Sequence, residues 1–519
     1  MNKLQKKAED AKFVRRKSPL DGSVFLQALV LNVFQFGVVV LDQLAKAAHR
    51  INPNVEVTGQ AFKERFNAAA VEFLKACFVE ALKTTAPQAA QVIPLLSAFS
   101  EVNLLDSSSV QLPESLKENY PGCGGVGSKA AAKVYLLLNY LTGAYQTMRI
   151  EAGRKADQNM GEKFLAGHQP GALWLFDLGF FCAPFLAQIA KLGSFYLCRL
   201  AASQLKFFAR NAAGELEPFD LDRFLRHAPR QLFEIEVVFG PKQEVLTRLI
   251  IAPVPEKVAA ERRRKVRHAA HKQGRLPTQK TLNRCSWTLL LSNAKPEQLP
   301  TSTVLEVYGV RWQVELAFKL FKSDAKLETS LGREKYRVEC EFYAKLITLL
   351  LFNRISSLVE SLVGEKISSA KLWRRMRDEA SDLLRILGHG TAEELSQMLK
   401  FLSRLTKPRS GKAHPSTLQC LEQAAQEARQ VKFKDPLGYS REKRKTTTER
   451  RKVFARSLES YKITTSSEQL GNQRTGRLGL NFSRMGWTTY GTFKLRITVS
   501  GLQKRPDSDY GNHTSRVHS

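Results

Sequence analysis

The chain has 519 residues, enough for about three to five domains and at least one sizeable core. Hydrophobic residues make up 43% and charged residues 25%, ordinary values that exclude a chain disordered throughout. The 80 Lys and Arg against 49 Asp and Glu leave a formal charge of +31, a field that attracts polyanions, with nucleic acid the leading partner. Seven scattered cysteines with no C-x-x-C pair indicate neither a disulfide framework nor a thiolate zinc site, and fit a reducing compartment.

The first apolar run, Val24 to Leu41, follows a basic stretch and so mimics a signal-anchor flank. Gln27, Asn32 and Gln35 interrupt it, each costly in lipid, so a buried helix is expected and no membrane partner. No second apolar span of 18 residues is expected after it. Two further helices follow around the Asn52-Pro53-Asn54 turn, with Thr58 as N-cap of a helix from Gln60 to Leu82. The pair is either a DNA-reading helix-turn-helix or a plain packing unit.

Val102 to Leu105 reads as a short strand ending at Asp106, before Ser107-Ser108-Ser109. Lys133 to Asn139 and Ala144 to Ile150 form a hairpin about Leu141-Thr142-Gly143. Ala172 to Phe176 is a strand ending at Asp177, Ala183 to Lys191 a helix, and Phe195 to Leu200 another strand. With a helix also expected between the third and fourth strands, this is a mixed α/β sheet opening on a hairpin. Phe233 to Phe239 and Val245 to Ile251 predict an antiparallel hairpin. Between Glu256 and Lys280 nine basic residues face two acids. Trp287 to Ser292 is a strand, Tyr308 to Ser323 a helix, and Tyr343 to Val363 and Ala370 to Leu387 are long apolar helices. From Arg404 to Arg456 fifteen basic residues face five acids, a linker or polyelectrolyte arm, and disorder is expected through much of the chain from about Glu468.

Asp106 and Asp177 each stand where a sheet exposes side chains to a cleft. Two neighbouring carboxylates stay ionised together only with cations between them, and hard divalent metals suit them. Taken alone, either Asp reads first as a turn starter. On the helix after Tyr308, Arg311, Glu315 and Lys322 fall at about −60°, −20° and −40° from Tyr308, on one face. A carboxylate there can complete a metal site while the cations meet phosphates. The alternative is a solvated face with an Arg311–Glu315 pair worth about 0.2–0.5 kcal/mol.

The spacing Tyr308-x2-Arg311-x3-Glu315-x6-Lys322, within YGVRWQVELAFKLFK, resembles the Tyr-Arg-Glu-Lys pattern of DDE transposases of the bacterial insertion-sequence-four family. LLDSSSVQLP resembles that family's first-aspartate region, and FDLGFF with SFYLCRLAAS its second, although Leu178 stands where many relatives have Arg. The resemblance, covering about residues 35 to 355, implies a ribonuclease-H-like catalytic core with a β-rich insertion. It implies Asp106, Asp177 and Glu315 as catalytic carboxylates holding two Mg²⁺ ions, for which Mn²⁺ would substitute. Tyr308, Arg311, Lys322 and Arg199 would touch DNA, and Trp287 would stack on a flipped base or else lie in the core. Arg262, Arg263, Arg264 and Lys265 in the basic run are expected to face DNA.

The expected division is 1–95, a helical N-terminal DNA-binding domain; 96–204 and 287–355, the two parts of the core; 205–286, the insertion with its basic run; 356–403, C-terminal helices; and 404–519, the arm and tail. The implied activity is cut-and-paste transposition in a bacterial cytoplasm. The chain would bind terminal inverted repeats in double-stranded DNA, cleave the element ends and join 3′ hydroxyls to target DNA as a homodimer in a synaptic complex. The rivals are a nuclease on the same fold without joining, and a catalytically inactive protein that occupies element ends.

Overall fold

The computed structural model describes residues 3–14, 16, 18–83, 92–124, 129–200, 205–211, 214–240, 245–364, 367–406, 416–430 and 463–465. After Lys3–Asp10 (α1), the apolar segment forms Gly22–Phe36 (α2). The Asp21 side chain caps it by accepting the Val24 N–H at 2.8 Å, and Gly37, at φ +68°, ends it. Leu41–Ile51 (α3) is followed by Gly59–Arg65 (α4) and Ala68–Lys83 (α5). Thr58 does cap α4, but the helix expected to run on to Leu82 breaks at Phe66, where Asn67 accepts the Ala70 N–H and starts α5.

The strands follow as Val102–Leu112 (β1), Ala130–Asn139 (β2), Tyr145–Ala152 (β3) and Leu173–Phe176 (β4). Between β3 and β4 the expected helix is replaced by two short 3-10 turns, Asp157–Asn159 and Gly161–Phe164. Ala183–Lys191 (α6), Phe195–Arg199 (β5), Phe207–Arg210 (β6), Leu216–Phe219 (β7) and Leu221–His227 (α7) come next. Phe233–Phe239 (β8) and Val245–Pro253 (β9) form the expected hairpin, and Glu256–Lys272 (α8) carries the basic run. Gln279–Arg284 (α9) leads to Trp287–Ser292 (β10). The helix expected from Tyr308 to Ser323 is two, Val304–Gly309 (α10) and Trp312–Ser323 (α11), interrupted after Gly309. Lys335–Val363 (α12), Ser369–Asp378 (α13), Ala380–His389 (α14), Ala392–Thr406 (α15) and Thr417–Gln430 (α16) follow.

Among the described residues one mixed sheet runs β3-β2-β1-β4-β5-β10-β9-β8-β6-β7, with Ile463–Thr465 (β11) added beside β8. The pairs β1–β4 and β4–β5 are parallel and the rest antiparallel. The insertion strands therefore extend the core sheet through β9–β10. Apolar side chains fill both faces. One cluster includes Leu104, Leu136, Leu175 and Leu290 with the N-terminal helices and α10 to α16; the other includes Leu105, Trp174, Phe176 and Trp287 with α6 and α7.

A helix long and apolar enough to cross a membrane does follow α2, contrary to expectation: α12 passes by length and composition. It packs against α2, α5 and α15, and Glu339, Glu341 and Lys345 are buried in it. Arg337 pairs with Glu341, and Lys345 donates to the carbonyl of Lys326 at 2.7 Å and to that of Thr329. These partners let charged side chains lie inside a protein core. Most of the 404–519 arm and tail lies outside the described residues. Within it α16 packs on α10, and Gln313 of α11 donates to Thr417 at 2.7 Å.

Candidate active site

The parallel register between β1 and β4 brings the two aspartates together. Its last pair is Leu105 with Phe176, so the next residues, Asp106 and Asp177, stand side by side where the ladder stops. Asp177 ends its strand as expected, because a 3-10 turn, Leu178–Phe180, begins at once. Asp106 does not end a strand. It lies in the middle of β1, whose polar half, Ser107 to Leu112, stays paired to β2 after β4 has stopped.

Helices α10 and α11 lay the remaining groups over this point. The Tyr308 hydroxyl donates to the Phe176 carbonyl at 3.4 Å and lies 3.5 Å from Asp177 Oδ1. Arg311 donates from Nη1 to Asp106 Oδ2 at 3.2 Å, and its Nη2 pairs with Glu315 Oε1. Its guanidinium lies 5.9 Å from the Tyr308 ring centroid, and the residue is only 7% exposed. Lys322 donates to the Ser109 carbonyl at 2.7 Å and pairs with Glu328 at 2.9 Å, farther along β1.

Burial pushes the Asp106 carboxyl up to about 7; Arg311 and the Ser107 N–H oppose this, while Glu315 and Asp177 add to it. Glu315 is likewise raised by burial against the pull of Arg311, with Asp177 raising it further. Burial works against the Arg311 charge, yet Tyr308, Asp106, Asp177 and Glu315 together hold it more firmly protonated than usual. The site is thus a cluster of mutually repelling carboxylates with one built-in cation.

The other expected DNA-facing residues separate. Arg199, at the end of β5, acts electrostatically on both Tyr308 and Arg262. Arg262 donates to the Trp287 carbonyl at 3.0 Å and to Thr288 Oγ1 at 3.3 Å, and burial first, then Arg199, lowers its pKa to about 10. Arg263 is engaged by Ser286 and Glu256, and Lys265 pairs with Glu261 at 3.1 Å, whereas Arg264 is exposed. Arg262 and Arg263 therefore bind the protein itself, because α8 lies along β10 and its flank. Trp287 is 5% exposed with its ring 6.4 Å from Phe233, a position that favours the core alternative over stacking.

Among the described residues, no three His, Cys, Asp or Glu side chains converge as a metal-holding group. The donor chemistry nevertheless suits a hard divalent cation: Asp106 and Glu315 share Arg311, and both are held above their usual range by burial first and by the neighbouring charge of Asp177. Arg311 supplies the positive charge between the two. Sequence reasoning missed Asp157, which accepts from Ser107 Oγ and from Lys133 Nζ, each at 3.0 Å. No local pattern marks it, since its partners lie on two separate strands.

Residues 97–351 match the transposase DDE domain. The chain is 27% identical over 435 residues to the transposase for insertion sequence element IS231E of Bacillus thuringiensis subsp. finitimus, covering 79% of this chain and 89% of the relative. It is 28% identical over 380 residues to the IS1151 transposase of Clostridium perfringens, covering 70% and 80%. A solved piggyBac transposase synaptic complex with hairpin DNA aligns with 79% of this chain and 83% of its own at 10% identity and a TM-score of 0.41. The domain match and the insertion-sequence relatives support a DDE transposase of insertion-sequence type.

Proposed function

We propose that this chain carries out cut-and-paste transposition: it binds the terminal inverted repeats of its element, cleaves the ends and joins the freed 3′ hydroxyls to target DNA. The reading rests above all on the β1–β4 register, which sets Asp106 beside Asp177, with Glu315 linked to Asp106 through Arg311. The strand order β3-β2-β1-β4-β5, antiparallel through β1 and parallel after it, supports a ribonuclease-H-like core. The match to the transposase DDE domain over the same residues supports the reaction class.

In this reading Asp106, Asp177 and Glu315 hold the divalent ions, two Mg²⁺ or Mn²⁺ per site. When bound, these supply activation of the attacking oxygen and stabilisation of the leaving oxygen in phosphoryl transfer. The chain's own residues place the DNA. Tyr308 braces Asp177 and the end of β4, Arg199 adds positive charge beside it, and Lys322 presents a cation to the backbone along the same edge. A phosphate entering the cluster competes with Asp106 and Glu315 for Arg311, whose planar fork suits either partner.

The partner is double-stranded DNA, both element end and target, bound by a homodimer that pairs two ends in a bacterial cytoplasm. The charge of +31 supports strong sequence-independent attraction, which makes cleavage conditional on paired ends useful. An end-joining assay with purified full chain, Mg²⁺ and DNA carrying both element ends tests the reading. Joined products are expected. Cut but unjoined ends would replace it with a nuclease, and bound, uncut DNA would replace it with an inactive end-binding protein.

A further inference from the structure

The β1–β4 ladder has its last pair at Leu105–Phe176, one residue before each aspartate, so Asp106 and Asp177 are not themselves a ladder pair. On the other face of the sheet stands the 3-10 turn Asp157–Asn159. The Asp157 carboxylate accepts the Ser107 hydroxyl at 3.0 Å, and the Ser107 N–H donates to Asp106 Oδ1 at 2.8 Å. Lys133 of β2 pins the same oxygen at 3.0 Å while donating to the Lys155 carbonyl at 2.8 Å, and Tyr135 reaches that carbonyl at 3.4 Å. The other Asp157 oxygen lies against Gly179, two residues after Asp177; a Cβ there would stand 2.9 Å from Asp157 Oδ2. Lys133 and Asp157 are 14% and 22% exposed, so the pair is largely sheltered from competing water.

We propose that Asp157 is a positioning residue for the catalytic carboxylates: fixed by Lys133, it spans from Ser107 to the Gly179 backbone and so sets the separation of Asp106 and Asp177 from behind the sheet. Successive strand residues point to opposite faces, so Ser107 can be held from the rear while Asp106 faces α11. Gly179 is what permits the close approach, since a Cβ there would force either the Asp157 carboxylate or the turn that carries Asp177 to shift. Supports of this kind act through ligand geometry, and their loss typically costs about 10–100-fold in metal affinity.

The inference rests on the proposed role of Asp106 and Asp177 as metal ligands, and the test separates the two. Mn²⁺ is titrated calorimetrically into the full chain with element-end DNA, and the thermal midpoint is measured in parallel. Asp157→Ala and Gly179→Ala should each weaken Mn²⁺ binding about tenfold, Gly179→Ala while keeping every charge. Asp157→Asn, which keeps an acceptor for Ser107, should restore part of the loss. Binding within twofold of wild type in both Asp157→Ala and Gly179→Ala would overturn the positioning role, even if their midpoints fell. Should wild type bind Mn²⁺ no better than Asp106→Ala and Asp177→Ala, the metal-ligand reading itself fails, and the proposal with it.

Discussion

Arg311 Nη1 stands 3.2 Å from Asp106 Oδ2 while its other amino nitrogen pairs with Glu315, so one guanidinium joins residues 205 positions apart in the chain to its own helix. The bond fastens α11 to the middle of β1. It also supplies the charge that lets two sheltered carboxylates lie together.

Arg311→Ala should therefore destabilise the fold, by about 3–5 kcal/mol where both carboxylates are ionised, because each is left without its counter-charge. At pH 5 the loss should be smaller, since Asp106 and Glu315, both raised, can take up protons. Urea unfolding of wild type and variant at pH 5 and pH 8 measures this. Equal losses at both pH values would show that the guanidinium acts through packing alone.

Asp106 makes a separate contribution to pH dependence. Its pKa of about 7 in the fold lies above the value of about 3.9 expected when unfolded, so the folded state holds the proton more tightly. This contribution is fully present below about pH 4 and is lost as pH rises through 7. Asp106→Asn should accordingly flatten the fall in stability between those limits, read as the difference between the two proteins' urea midpoints across the range. Parallel curves would place the proton elsewhere.

Much of this centre was legible locally. Helix α6 and strand β10 fall on the expected residues because their apolar patterns are short and cleanly bounded. The one-face placement of Tyr308, Arg311 and Glu315 survives the break after Gly309 because Val310 and Arg311 keep right-handed helical backbone angles across it. The Arg311–Glu315 pair was visible as i,i+4 spacing, but not its burial or its sharing with Asp106, which depend on α11 packing over β1. The strand expected to end at Asp106 instead runs on through the serines, since β2 supplies hydrogen-bond partners that no local pattern reveals. The junction of the insertion to the core through β9 and β10 is a long-range pairing of the same kind.

Arg248 joins the insertion to the segment before α10. It binds both Glu234 oxygens, at 2.8 and 2.6 Å, and reaches the Ala294 and Leu299 carbonyls and Thr301 Oγ1. Arg248→Met should cost about 3–5 kcal/mol by leaving Glu234 buried and unpaired, whereas Arg248→Met with Glu234→Leu should cost clearly less. Denaturation of the two variants decides, and an additive double loss would count against a coupled pair.

Helix α8 divides its charges by role. Arg264, Arg267 and Lys272 are exposed, whereas Arg262 and Arg263 are engaged by β10 and neighbouring residues. Neutralising the exposed three should lower the slope of log K against log salt by about 0.9 for each phosphate that is no longer neutralised, with little change in stability. Arg262→Ala should instead lower the unfolding midpoint and leave the slope nearly unchanged. Fluorescence titrations with nonspecific duplex DNA at several salt concentrations check both, and the reverse assignment would mean that α8 meets DNA through its inner face.

The most direct measurement is single-turnover cleavage of element-end DNA by Asp106→Ala, Asp177→Ala and Glu315→Ala, each alongside an end-binding titration. Removal of any one carboxylate should abolish cleavage while binding stays within a few-fold of wild type, because the cations that attract DNA are untouched. Cleavage by any one of the three at more than about a hundredth of the wild-type rate would contradict a catalytic centre built on these three residues.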